Sequence, residues 1–423
     1  MKYFSHLNTA TRLILEYRGK EPLHHFLKNF FAQHKKFGSK DRRRIAQLCY
    51  FFYRVSGAFG KERSHRDQEQ VQQIIIAALF LCNKEPDELL GAVKPEWNEK
   101  ITLPISEKFF IIRQEGILTA FESQDLFPFI EELSDGIHKE AFILSHLQQP
   151  DLFLRIRPGY HESVIQKLKK QNILFEFIPD ATLRLPNGYK VDDIFQLDKE
   201  VVVQDLNSQR VGGFFQFSIP NNSTPGYTSA GTDATGSGKG KKINDRSVLS
   251  LWDCCAASGG KSIMAKDILG DADLTVSDQR ESIIANLKKR FAIAGITNYK
   301  SFIADLSTTN LKLSTPGYDL IIADLPCTGS GTWGRTPEQL YFFEMDSIEK
   351  YSVLQRKIIV NVIPHLNKSG KLLYVTCSVF KKENEGMVQF IQNNFSLKVE
   401  KMELLKGYEE KADTMFAALF CPL

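Results

Sequence analysis

Two cysteines are placed for thiol chemistry. Cys327 lies in Asp324-Leu325-Pro326-Cys327-Thr328-Gly329-Ser330-Gly331, and Cys377 lies in Thr376-Cys377-Ser378. Each follows or ends an apolar run of strand length, YDLIIAD and KLLYVTCS. Both thiols are therefore expected at the tips of neighbouring strands, facing one pocket, whereas Cys49, Cys82 and Cys421 read as ordinary apolar filler. A third motif, Asp253-Cys254-Cys255-Ala256-Ala257-Ser258-Gly259-Gly260-Lys261, follows the run VLSLWD and opens a helical segment. Adjacent glycines let a ligand approach the backbone, and a helix N-terminus presents unpaired N–H groups. Alone this indicates only a nucleotide-like ligand, because the G-x-G-x-x-G spacing of a dinucleotide site is missing. Asp278 ends the run LTVSD, where a carboxylate accepts ribose hydroxyls, and Asp305 follows SFIA, within reach of an adenine amino group. Taken singly each is an ordinary strand-end acid. Together around a glycine turn they predict an adenosine-type cofactor.

Two thiols beside such a cofactor suit one reaction well. Carbon 5 of cytosine is a poor nucleophile until a thiolate adds to carbon 6, after which it can attack a methyl sulfonium. The adduct must then lose its carbon-5 proton and expel the thiol, a step that a second group assists. Asp324 is a candidate to hydrogen-bond the ring edge. Lys261 is a candidate cation, either to position that acid or to lower a thiol pKa.

These residues need a scaffold that brings strand tips together. From Val248 onward, five apolar runs alternate with helical segments such as KSIMAKDIL, RESIIANLKKRFAIAG and EKYSVLQRKIIVNVIPHL. This βαβ series predicts an α/β fold with a parallel sheet covered on both faces and ligands beyond the carboxyl ends of its strands. Residues 1–145 read as helical, with apolar spacing in HHFLKNFFAQHKKF and RRRIAQLCYFFYRV. Ser39 is the expected N-cap between those two segments. Lys35, Lys36, Lys40, Arg42, Arg43 and Arg44 crowd this turn, either as a solvated face or as an RNA contact. Residues 150–218 contain DLFLRIRP, LRLP, IFQL and VVVQD around HESVIQKLKKQNI, the pattern of a small α+β unit. Residues 219–247 are rich in Gly, Ser, Thr and Asn, which predicts a flexible insertion. Its GSGKGKK is no P-loop, since Lys239 is followed by Gly240 and Asp233 stands where the first glycine belongs.

Composition sets the outer limits. Of 423 residues, 43% are hydrophobic and 25% charged, which excludes wholesale disorder. The longest apolar run, residues 74–82, is far short of the roughly 20 residues that span a bilayer. The first residues carry no signal-peptide pattern, so a cytoplasmic protein without membrane attachment is expected. The net charge of +4 permits an RNA partner without requiring one. Seven cysteines with no Cys-x-x-Cys pair point to free thiols and no metal.

DCCAASGGK, ADLPCTGSGTWGRTPE and VTCSVFKKENE together resemble the Sun/Nop/RsmB family of S-adenosylmethionine-dependent RNA 5-methylcytosine methyltransferases. The resemblance implies a Rossmann-like methyltransferase core over 248–423, an RRM-like substrate-binding unit over 150–218 and a NusB-like RNA-binding domain over 1–145. It implies Cys377 as the nucleophile, Cys327 as the residue promoting release, and Asp324 and Lys261 in the base-facing site. The implied cofactor contacts are Cys255, Ala256, Ala257, Ser258, Gly259, Gly260, Lys261, Asp278, Arg280, Asp305 and Asp324. From their charge, the predicted RNA contacts are Lys35, Lys36, Lys40, Arg42, Arg43, Arg44, Arg155 and Arg335, with Arg157, Lys167, Lys169 and Lys170 along the same groove. A monomer acting on 16S ribosomal RNA is the leading expectation, with tRNA as a near alternative and a non-catalytic assembly factor as a third reading. VVVQDLNSQ (201–209) resembles the family's motif before the core. Ser258 replaces the family's usual Pro, which leaves an extra N–H. Thr328 and Ser330 exchange the usual Ser and Thr. Gly334 stands beside Arg335 where a second basic residue is common.

Overall fold

The structure is a computed structural model that describes residues 2–59, 67–116, 123–179, 181–216, 248–308 and 317–423. The predicted insertion at 219–247 lies outside the described residues. The front of the chain is helical, as its periodicity requires: α1 (Lys2–Glu16), α2 (Leu23–Gln33), α3 (Ser39–Val55), α4 (Gln68–Cys82), α5 (Glu88–Val93), α6 (Pro95–Glu99), α7 (Ile105–Gln114) and α8 (Lys139–Ser145). In α4, Val71 and every residue from Ile74 to Leu81 are buried, which is why its apolar run shows little amphipathic stripe. The cap of α3 is one residue earlier than expected. Gly38 takes the N-cap position, and the Asp41 carboxylate accepts its N–H at 3.2 Å.

The middle segment forms β1 (Leu152–Ile156), α9 (His161–Lys170), β2 (Glu176–Ile178), β3 (Thr182–Leu185) and β4 (Val201–Val203). These strands make an antiparallel four-stranded sheet, order β2-β3-β1-β4, with α9 packed on it through Val164 and Leu168. IFQL is not a strand. Leu197 makes only an isolated bridge to Val201, because the tight turn around Asp198 (φ 65°) leaves no room for a ladder. Two short helices, α10 (Leu206–Arg210) and α11 (Gly213–Gln216), follow.

The C-terminal part contains β5 (Leu249–Asp253), α12 (Gly260–Leu269), β6 (Ala272–Asp278), α13 (Glu281–Ala294), β7 (Tyr299–Ile303), β8 (Tyr318–Asp324), α14 (Pro337–Phe342), α15 (Asp346–Val362), β9 (Leu366–Thr376), α16 (Glu385–Asn394), β10 (Leu397–Leu405) and β11 (Met415–Pro422). They form a seven-stranded sheet of order β10-β11-β9-β8-β5-β6-β7. Every pairing from β9 across to β7 is parallel, and β11 and β10 add an antiparallel edge. Side chains alternate between the two faces. Leu251, Leu320, Ile322, Leu373 and Val375 meet α12 and α13, while Trp252, Ile321, Leu372 and Tyr374 meet α15 and α16. Strand order reverses between β5 and β8, which opens a crevice at their carboxyl ends.

The helical region is packed onto this core. Trp333, Leu340, Val379, Phe380 and Tyr408 of the C-terminal part belong to the same apolar cluster as the front helices. Arg54, 3% exposed, donates to the carbonyls of His146, Gln148 and Gly334 at 2.8–3.1 Å and so joins the two parts. A Cβ at Gly334 would meet the Pro150 ring at 3.0 Å, so a basic residue at that position would press on Pro150.

Candidate active site

Cys327 and Cys377 meet at the rim of β8 and β9, with their sulfurs 3.3 Å apart. The strands pair in parallel with Asp324 opposite Val375, so a thiol three residues past Asp324 and another two past Val375 emerge side by side. Both are partly exposed. Gly331 makes this approach possible. Its N–H donates to the Cys377 carbonyl at 2.8 Å, and a Cβ there would fall 1.9 Å from the Thr414 carbonyl. The Cys327 thiol is pushed well above its ordinary range, first by its hydrogen bond with Cys377 and then by burial, so Cys327 keeps its proton.

Lys261 reaches across the crevice from the first turn of α12. Its Nζ donates to Asp324 Oδ2 at 2.6 Å, with side chains 11% and 28% exposed. Burial works against the ammonium charge, but the Asp324 carboxylate outweighs it and holds Lys261 above its usual value. The lysine therefore stays charged and fixes the orientation of Asp324. The expected cluster of Cys327, Cys377, Asp324 and Lys261 is thus assembled at the rim from α12, β8 and the loops that follow β8 and β9.

The cofactor turn runs from β5 into α12. Ala257 (φ 46°) and Gly259 (φ 83°) both adopt the left-handed conformation that wraps the turn. Gly259 is also forced by packing, since a Cβ would lie 2.7 Å from Phe291. Asp278 is 7% exposed and accepts the backbone N–H groups of Ala257 and Arg280 and the Arg280 guanidinium at 3.0–3.2 Å. Asp305 is exposed, and the Ser307 hydroxyl and N–H hold it below the usual carboxylate range. Ser258 fills the place of the family's proline usefully: its Oγ and carbonyl accept from Arg290 Nη1. Cys255 is half-buried and Ala256 donates its N–H to the Ser277 carbonyl, so both line the turn. Beneath it, Asp253 Oδ2 accepts from Ser262 at 2.6 Å, its Oδ1 has no partner among the described residues, and burial pushes its pKa up to about 7. Two acids at strand ends, an unpartnered buried oxygen and open space above Gly260 fit an adenosine-type cofactor.

Two predicted RNA contacts are engaged by side chains of the protein itself. Arg155 is 7% exposed and binds Asp267 and Gln204, and Arg157 binds the same aspartate. Arg335 is held by Asp205, Asp413 and the Asp151 carbonyl. These guanidiniums already have carboxylate partners of their own within the protein. Arg44 is likewise engaged by Asp87 and Gln47, and Arg42 by the Phe37 carbonyl. Lys167 pairs with Glu200. Lys35, Lys36, Lys40 and Arg43 remain on the exposed surface of the turn.

Sequence reasoning missed the polar cluster under the two thiols. Glu383, fully buried, accepts the Thr328 N–H and hydroxyl, and the Ser378 hydroxyl. Asn384 accepts from Thr376 Oγ1 at 2.6 Å and donates to the Ser378 carbonyl and to Ser134 Oγ. The available signal was their position five and six residues after Ser378, since a loop that returns to the same strand tip places them under it.

Comparison with known proteins adds relatives. Residues 242–421 match the model of the 16S rRNA methyltransferase RsmB/F family. A relative from Synechocystis sp., named a probable ribosomal RNA small subunit methyltransferase B, is 26% identical over 40% of this chain and 39% of its own length. The ribosomal RNA small subunit methyltransferase B of Enterobacter sp. is 25% identical over 65% of this chain and 60% of its own length. The chain thus spans less than two thirds of these two relatives. The Erwinia tasmaniensis protein of the same name is 28% identical over 86% of this chain and 85% of its own length. Among solved structures, PH0851 superposes with a TM-score of 0.70 at 18% identity over 98% of each chain. NSun6 from Pyrococcus horikoshii with SFG superposes with 0.53 at 14% identity, over 70% of this chain and 97% of that one. These two likenesses are of fold, and they agree with the Rossmann-like sheet described above. Over residues 242–421, the chain is similar to the RsmB/F family of 16S rRNA methyltransferases.

Proposed function

We propose that this chain methylates carbon 5 of a cytosine in RNA, with small-subunit ribosomal RNA as substrate. The observation that carries the reading is the thiol pair, 3.3 Å apart, beside the Lys261–Asp324 ion pair. S-adenosylmethionine, when bound at the glycine turn, supplies an electrophilic methyl group. Asp278 and Asp305 would receive its hydroxyl and amino donors, and the turn backbone of Cys255–Gly260 would line it. Cys377 adds to carbon 6 of the base, forming a C–S bond and pushing an electron pair onto carbon 5. Asp324, oriented by Lys261, hydrogen-bonds the ring edge as charge develops there. After carbon 5 gains the methyl group, its proton passes to a solvent water, and the C5–H electron pair re-forms the ring double bond as the Cys377 sulfur departs as thiolate. Cys327 promotes this release, since its thiol is held protonated against the departing sulfur.

The ring must leave its stack to reach Cys377, which favours single-stranded or partly assembled RNA. Residues 1–145 act as the NusB-like RNA-binding domain and residues 150–218 as the RRM-like substrate unit in this reading, and the protein works as a cytoplasmic monomer. Support for ribosomal RNA comes from the names of the relatives and from the helical front.

The test is transfer of labelled methyl groups from S-adenosylmethionine to ribosomal, precursor-ribosomal and transfer RNA. Labelled 5-methylcytosine in ribosomal RNA, absent with Cys377→Ala and replaced by a trapped protein–RNA adduct with Cys327→Ala, is the expected result. Label in tRNA alone would keep the mechanism and change the substrate. No label in any of the three, with the cofactor bound, would leave the assembly-factor reading.

A further inference from the structure

The two thiols sit on different loops, and the residue following each is tied to one buried carboxylate. Thr328 follows Cys327, and its N–H and Oγ1 donate to Glu383 at 2.9 and 2.6 Å. Ser378 follows Cys377, and its Oγ donates to the same carboxylate. Gln355 adds a longer contact at 3.4 Å, and Ser330 Oγ lies 3.1 and 3.2 Å from the two hydroxyls. Glu383 itself is 0% exposed, and the Tyr374 hydroxyl donates to its backbone carbonyl at 2.6 Å, so its backbone is pinned as well. A buried carboxylate needs such donors to offset desolvation, and the donors to its oxygens, Thr328, Ser378 and Gln355, belong to the two cysteine loops and to α15 behind them.

We propose that Glu383 is the positioning residue that sets the Cys327–Cys377 spacing, by clamping the loop after each thiol to one rigid acceptor. This role rests on the methyltransferase reading for its chemistry, but its geometric content is independent of any substrate. Among the described residues no hydrogen bond joins Glu383 to either sulfur, so its effect passes through Thr328 and Ser378. Its negative charge also contributes, after the Cys377 contact and burial, to keeping the Cys327 thiol protonated.

The test compares wild type with Glu383→Ala, Glu383→Gln and Thr328→Val. Two measurements are made on the full chain. The first is the rate at which diamide, itself reduced to the hydrazine, closes a Cys327–Cys377 disulfide, mapped by peptide mass spectrometry. The second is single-turnover methyl transfer to RNA, with S-adenosylmethionine affinity measured alongside. A displacement of about 1 Å at a reacting group typically costs on the order of 100-fold in rate. Glu383→Ala should therefore slow both disulfide closure and methyl transfer by at least about tenfold while leaving cofactor affinity unchanged. Glu383→Gln keeps an acceptor oxygen and should fall between, and Thr328→Val should show a smaller loss in both. Unchanged closure and turnover in Glu383→Ala would overturn the proposal, as would loss of turnover with closure unchanged. If Glu383→Ala does not fold, Glu383→Gln and Thr328→Val decide by the same criteria. Failure of the wild type to methylate RNA would sink the functional reading, and the closure rates would still decide the role of Glu383.

Discussion

Asn384 Nδ2 donates to Ser134 Oγ at 2.8 Å, and so a residue of the helical front is bonded to the loop that carries Cys377. The link is not isolated. Ser134 N–H donates to the Val379 carbonyl, Lys381 N–H to the Glu132 carbonyl, and Leu133 bridges Phe380. Asn384 at the same time grips both neighbours of Cys377, Thr376 and Ser378. The front of the chain is therefore part of the active-site scaffold as well as a candidate RNA contact.

Asn384→Ala removes an acceptor and two donations in a fully buried place. An unmet buried polar group costs about 1–3 kcal/mol, so unfolding temperature should fall and adduct formation by Cys377 should fall with it. Ser134→Ala loses less and should cost about 1 kcal/mol, with methyl transfer reduced several-fold and cofactor affinity unchanged. Thermal unfolding with single-turnover kinetics checks both. Equal turnover in Ser134→Ala and wild type would mean that the front does not hold the Cys377 loop.

Lys261→Met and Asp324→Asn each leave one member of a partly buried ion pair without its partner. Removing a preorganised group of this kind costs about 100- to 1,000-fold in turnover. Methyl transfer should fall by that order in both variants, with RNA binding retained. A decrease below about tenfold in Asp324→Asn would remove Asp324 from the base-facing role.

His146 is fully buried where the helical front meets the core, and burial lowers its pKa to about 4 from 6.5, against the pull of the Phe142 carbonyl. The unfolded chain then binds a proton between those two values that the folded one does not. Stability should be full above about pH 6.5 and decline as pH falls toward 4, by roughly 3 kcal/mol at most. Denaturant unfolding at about pH 7.5, 6 and 4.5 should show this slope in wild type and a shallower one in His146→Leu. Parallel slopes in the two proteins would assign the acid sensitivity elsewhere.

The basic residues divide into two sets with different expected effects. Charge reversal at Lys35, Lys36, Lys40 and Arg43 should weaken RNA binding and flatten its salt dependence. The log–log slope should change by about 0.7 for each single-strand phosphate that is no longer neutralised. Arg155→Ala should instead lower stability, because among the described residues Asp267 keeps only its Arg157 partner, and leave the salt slope unchanged. Filter binding from low to high salt, alongside thermal unfolding, separates them. An unchanged slope after the four reversals would exclude this turn as an RNA contact.

Much of the site was legible in one dimension because strand-end chemistry is local. Asp253, Asp278 and Asp324 each close an apolar run, and in a parallel sheet run ends share a rim, so reading the runs was enough to group them. Cys327 and Cys377 followed for the same reason. The basic residues were not legible in that way. Arg155 and Arg335 have the composition of phosphate contacts, but whether a guanidinium meets RNA or Asp267, Asp205 and Asp413 depends on which chain segments come beside it. IFQL failed similarly, since an apolar run becomes a strand only where a partner edge is free.

By itself the sequence determined the helical front, the alternating strands and helices of the parallel core, the glycine turn and the two thiols, because hydrophobic period and run ends are properties of neighbouring residues. Tertiary structure alone decided the 3.3 Å approach of the sulfurs, the pairing of Lys261 with Asp324 across the crevice, and the burial of Glu383 and Asn384 beneath both cysteine loops. The two thiols are 50 positions apart, and Asn384 and Ser134 are 250 apart. Such pairings and the desolvation of Glu383 follow from how distant segments pack, and neither is written in local spacing.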